Sequence, residues 1–146
     1  MTDRSEHAVM NSLIETCRDG ERGFRLAAEK VANPTLKALF VELAGQRAAF
    51  AAELLPHAQR LGGDRPSDGT AAAALHRGWM TIEAAVRHDD HLIVAEVERG
   101  DRATLRAYSD AVGGMLHPAS RDMVQRQLDA VTAAHARIPV SEAQER

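Results

Sequence analysis

The chain has 146 residues, 45% of them hydrophobic and only 3% aromatic, with a formal net charge of -3 and a single cysteine. That length supports one compact domain with a sizeable core. The mixed charge without a basic patch argues against a nucleic-acid groove, the lone Cys17 excludes an internal disulfide, and no apolar run approaches the ~20 residues of a membrane span.

Alanine is abundant and β-branched runs are scarce, so the expected fold class is all-α. The first helix is expected over about 6–32, with Asp3 and Glu6 as a candidate capping box. Its stripe reads Met10, Leu13, Ile14, Cys17, Glu21, Phe24, Ala28, Val31, which aims the Glu21 carboxylate at the core. Cys17, among Leu13, Ile14 and Phe24, reads as a buried thiol. Asn33 is a good N-cap and Pro34 suits the first helical position, so a second helix starts there and runs to Gly62-Gly63. Its stripe of Leu36, Leu39, Phe40, Leu43, Phe50, Leu54, Ala58 and Leu61 encloses Arg47. A cation at a core position needs anionic partners.

Residues 62–69 are loop chemistry, and a shorter third helix follows to about His88, with Leu75, Trp79, Ile82 and Val86 inward and His76 and Arg77 covering them. Asp89-Asp90 caps a fourth helix over about 91–112, read as burying Val94, Val97, Leu105, Tyr108 and Val112 with Glu98 in line. Tyr108 is expected to keep its hydroxyl at the edge of the stripe. Pro118 opens the last helix, with Val124, Leu128, Val131, His135 and Ile138 on its inner face, and Pro139 ends it. The domain is thus 6–138, with 139–146 a polar tail.

Two topologies fit: a five-helix up-down array, or a four-helix bundle of two antiparallel hairpins with the short helix as a crossover along the outside. In the second, Glu21, Arg47, Glu98 and His135 fall within about one turn of a common level, and Gly20, Gly23, Gly45 and Gly100 crowd the same level. The crossover form is preferred, and with it a buried polar network of Glu21, Arg47, Glu98 and His135, an Arg fork between carboxylates.

An inward carboxylate on several helices, in two hairpins joined by a long crossover, resembles the ferritin-like superfamily. The runs 13–21, 46–54, 75–79 and 98–100 together with Ala134-His135 are similar to an uncharacterised bacterial family of ferritin-like four-helix-bundle proteins. The resemblance implies the fold and no activity. Di-iron members of the superfamily carry a Glu-x-x-His pair on each of two helices. Here Glu42 is followed by Gly45, His135 is preceded by Thr132, and Arg47 stands at a ligand position.

The expected function is therefore a non-enzymatic bundle protein with a buried polar layer. The alternative is an iron- or manganese-binding oxidoreductase or iron-handling protein with Glu21, Glu98 and His135 as ligands, helped by Glu42, Gln46 or Glu53. A cytoplasmic location is expected, with a homo-oligomer as the candidate assembly and neither nucleic acid nor membrane as a partner.

Overall fold

The computed structural model describes residues 2–60 and 89–139, with side chains from residue 6 onward. Among the described residues there are four helices and no strand: α1 (Thr2–Lys30), α2 (Pro34–Arg60), α3 (Asp90–Gly113) and α4 (Pro118–Ala136). The short helix expected before residue 88 and the tail beyond Pro139 lie outside the described residues. No described helix is long and apolar enough to cross a membrane.

The helix starts follow from local chemistry. Asn33 Oδ1 accepts from the amides of Thr35 and Leu36 at 2.8 and 3.2 Å, and Asp89 Oδ1 from Leu92 at 3.2 Å, so each side chain satisfies amides that the first turn leaves open. The start of α4 is capped from another helix. Glu6, expected to cap its own helix beside Asp3, instead points away from α1, and its Oε1 accepts from the His117 amide at 2.8 Å. Oε2 accepts from the Ser120 hydroxyl at 2.6 Å. Its carboxylate is fully buried, and a negative group at a helix N-terminus is favoured by the helix dipole. The Glu6 carboxyl is held below its usual range although burial works the other way, because Ser120 and His117 hydrogen-bond its charged form.

These caps orient the bundle. Glu6 sets the start of α1 beside the start of α4. Asp90 sets the start of α3 against the α1–α2 turn, accepting from the amides of Ala32 and Asn33 at 2.8 and 3.0 Å. Hence α1 and α4 run one way, α2 and α3 the other, and the end of α2 and the start of α3 lie at opposite ends. Helix α1 packs on α2 and α3, α3 packs on α4, and α2 meets α4 only thinly. Two exposed ion pairs span that thin seam, Glu53 with Arg126 and Glu42 with Arg137.

The apolar core is divided into two. Near the α1–α2 turn, Phe24, Val31, Phe40, Leu43, Val94, Val97 and Ile138 form one cluster, with Phe24 and Phe40 at 6.0 Å between ring centroids. Toward the other end, Met10, Leu13, Ile14, Leu54, Tyr108, Val124 and Val131 form the second. Arg47 and Asp101, both with no exposed side-chain surface, belong to neither cluster.

Candidate functional site

The charged layer is built on Arg47. Its guanidinium donates through Nη1 to Asp101 Oδ1 and through Nη2 to Oδ2 at 3.5 Å, while Nε donates to Gln46 Oε1 at 3.0 Å. The guanidinium carbon lies 5.1 Å from the centre of the Phe24 ring, so a π face covers the side that lacks hydrogen bonds. His135 joins the layer from α4. Its Nδ1 lies 2.8 Å from Asp101 Oδ2 and its Nε2 3.1 Å from Glu98 Oε2. Glu98 is bound on its outer side by Arg102. Charges therefore alternate from the core outward: Arg47, Asp101, His135, Glu98, Arg102.

Protonation follows from that order. Burial alone would raise the Asp101 carboxyl, but the Arg47 charge and the hydrogen bonds from His135 and Arg47 outweigh it and hold the acid below its usual range. His135 is pushed up, first by its hydrogen bond to Asp101 against the opposing effect of burial, then by the charges of both acids. With a carboxylate at each ring nitrogen, the doubly protonated imidazolium is the form that fits, donating both ways.

Of the four residues expected in the network, three are joined and one is not. Arg47 and Glu98 belong to the same chain of contacts but do not touch; His135 and Asp101 connect them. Glu21 stands apart. Its side chain is 24% exposed and pairs with Arg25 at 2.8 Å, one turn along the same helix. The 3.6-residue period places Glu21 on the edge of the α1 stripe, where a flexible acid turns out to water rather than pay desolvation.

Asp101, missed in the sequence, had a signal. Val97, Asp101, Thr104, Tyr108 and Ala111 recur at three- and four-residue steps and are all buried. Taking Leu105 as an inward residue in place of Thr104 turned the face by one position and made Glu98 the inward acid. Leu105 and Val112 are half-buried at its edge.

A second polar layer sits one to two turns away. Tyr108 is fully buried, contrary to the edge position expected for its hydroxyl, which donates to Gln127 Oε1 at 2.7 Å and lies 3.0 Å from Cys17 Sγ. Gln127, also fully buried, donates to Glu53 Oε1 at 2.8 Å. The thiol thus donates to tyrosine, tyrosine to amide, and amide to a carboxylate that reaches Arg126 at the surface. Burial pushes the Cys17 thiol up to about 11 and the Tyr108 phenol well above its ordinary value. Both are neutral near pH 7. The layer was illegible because Gln127 shares no periodic signal with acids or histidines.

The other candidates are dispersed. Glu42 is tied to Arg137, Glu53 to Arg126 and Gln127, and Gln46 to Arg47. His76, Arg77 and Trp79 lie outside the described residues. Among the described residues, no group of three or more His, Cys, Asp or Glu side chains is arranged to hold a metal ion. Glu21, Glu98 and His135 do not converge, and both nitrogens of His135 are already taken.

A family model described as a domain of unknown function, DUF2383, matches residues 5–114, about three quarters of the chain. The match includes Glu6, Cys17, Arg47, Asp101 and Tyr108, and stops before His117, Gln127 and His135. No curated protein matches the chain.

Proposed function

The chain belongs to the DUF2383 family, and from that premise we propose that it is a non-enzymatic, ferritin-like bundle protein in which a permanent internal ion network fixes helix register. The observation that carries this reading is Arg47, a fully buried cation in register with two acids and a histidine. Its five donors and its volume serve the carboxylate that a bound cation would otherwise neutralise. The ferritin-like arrangement of two hairpins linked by a crossover is supported by the opposite placement of the end of α2 and the start of α3. Metal binding by Glu21, Glu98 and His135 gains no support, because Glu21 pairs with Arg25 apart from the other two and both ring nitrogens of His135 already face carboxylates.

A charged layer of this kind is a poor source of stability and a good source of specificity. Any sliding of α2 against α3 by one turn, about 5.4 Å, would strand Arg47 among apolar side chains. The layer therefore selects one register, and with it one outer surface for contact with other proteins.

Thermal melts with and without Mn²⁺ or Zn²⁺ test the reading. The parent protein is expected to melt at the same temperature with either ion. Arg47→Met removes the internal cation and leaves Asp101 buried without it, so this variant melts lower and gains stability when the ions are added. A parent strongly stabilised by metal, or one turning over ferrous iron with peroxide at an ordinary rate of about 1–10 per second, would overturn the proposal.

A further inference from the structure

Helix α4 is held to the rest of the fold by three polar rungs, about two turns apart along its inner face. Ser120 binds Glu6, Gln127 binds Tyr108 and Glu53, and His135 binds Asp101 and Glu98. Around the first two rungs the helix also has an apolar hold, because Met123, Val124 and Val131 enter the cluster far from the α1–α2 turn, with Leu128 packed against it. The last two turns have less. To the cluster near the turn this end of the chain contributes Ala134 and Ile138, and the other members come from α1, α2 and α3. The seam with α2 is thin there and is crossed at the surface by the exposed pair of Glu42 and Arg137.

The rungs also differ in what can change them. Near neutral pH the Glu6 carboxyl, held below its usual range, stays ionised, and the Tyr108 phenol, pushed well above its ordinary value, stays neutral. His135 is the rung that titrates. From α3, Asp101 and Glu98 face it, with Arg102 beyond Glu98; from α2, Arg47 stands behind Asp101, and Glu42 is taken by Arg137. Among the described residues α1, diagonal to α4, does not pack against it beyond the Glu6 contacts. A neutral imidazole donates from one nitrogen and carries a lone pair on the other. Loss of the proton therefore removes the charge attraction and sets one ring nitrogen against a carboxylate oxygen. The ring is 17% exposed, so the proton reaches it while the helix stays docked.

We propose that His135 is a proton-operated latch on residues 132–138: protonated, it holds the end of α4 against α3, and deprotonated, it lets that end open while the rest of the bundle stays folded. Two turns freed of tertiary contact do not keep their own helical hydrogen bonds, and their departure uncovers Asp101 and Arg47. The direction follows from the geometry. The hydrogen bond to Asp101, then the charges of both acids, raise the His135 pKa against burial, so the latch is complete below the ordinary 6.5 and is lost as pH rises through the folded value. The latch rests on the reading of Arg47 and Asp101 as a standing ion pair. Metal-dependent melts test that reading and local opening tests the latch, so the two fail separately.

Hydrogen exchange of the full chain from about pH 6 to about pH 9, corrected for the intrinsic rate at each pH, measures the opening. In the parent the opening constant of residues 132–138 should rise about tenfold for each pH unit above the ordinary histidine value and level off past the folded one. That opening should be indifferent to urea below the unfolding transition, whereas residues 119–127 should exchange at least about tenfold less and through openings that urea promotes. His135→Gln should be independent of pH and open at every pH as far as the parent does at the alkaline limit. His135→Lys keeps a cation through the range and should also be independent of pH, but closed. In the parent, protection of residues 132–138 that is flat with pH, or that is lost only together with α1 and α2 at the same urea dependence, overturns the proposal.

Discussion

The two buried polar layers of this bundle solve one problem in opposite ways. Around Arg47 the groups are ionised, and each charge is balanced by the next, from Asp101 through His135 to Glu98. Around Tyr108 the groups are neutral, with burial holding the protons on both Cys17 and Tyr108. A neutral layer loses one hydrogen bond at a time, whereas a charged layer that loses one member leaves an uncompensated ion in the core. The first should tolerate substitution and be indifferent to pH over the neutral range. The second should do neither.

Asp101→Asn is expected to have the largest effect, a loss of about 3–5 kcal/mol, because it strands the Arg47 cation and withdraws the charge that His135 faces. The midpoint of urea unfolding measures it. A loss below about 1 kcal/mol would show that water reaches the layer and solvates it.

Tyr108→Phe, in the neutral layer, should cost about 1–3 kcal/mol. It leaves the Gln127 carbonyl without its donor and the Cys17 thiol without its acceptor, while the ring remains packed. Parity between this variant and Asp101→Asn under the same conditions would erase the distinction between the layers.

The pH dependence sharpens the comparison. His135 binds its proton more tightly folded than unfolded, so its contribution is complete below its ordinary value of 6.5 and is lost as pH rises through the higher folded value. Asp101 is the reverse. Its folded pKa is lowered from 3.8, so its contribution is present above that value and is lost as pH falls below it. The charged layer should therefore be most stabilising between about pH 4 and pH 6.5. Apart from an acid limb at Glu53, whose carboxyl is held below its usual 4.5 by Arg126 and Gln127, the neutral layer should be flat until the unfolded thiol begins to ionise near its ordinary 9.0, above which stability falls. Urea unfolding from pH 3 to 10 reads both limbs, and His135→Gln should flatten the limb just above neutrality while leaving the alkaline one. An unaltered profile in that variant would remove His135 from the account.

Thr104 lies between Asp101 and Tyr108 on α3, and among the described residues its Oγ1 is the buried side-chain atom without a hydrogen-bond partner. Thr104→Val keeps the shape and removes the orphaned hydroxyl, so a gain of about 1 kcal/mol is expected. This smallest change tests whether the polar layers are joined. A clear loss of stability would mean that the hydroxyl bonds to a water linking them.

The sequence by itself determined the four described helices, since caps, prolines and apolar periods are local signals: Asn33 and Asp89 cap, Pro118 opens, and the stripes of α1 and α2 are buried almost as spaced. It also determined that Arg47 is internal, because the period of α2 left that residue no outward position. Only the tertiary structure decided which acid Arg47 meets. Glu98 and Asp101 lie three residues apart on one helix, only about 60° from each other around it, and a rotation of α3 by that much, a little over half of one residue's step, exchanges their roles. The same holds for Glu6, whose local pattern suggests a cap for its own helix, while its carboxylate is used by the start of α4 more than a hundred residues away. Period assigns a residue to a face. Which neighbour occupies that face is set by how the helices are rotated and stacked, because a long polar side chain goes to the strongest partner within its reach.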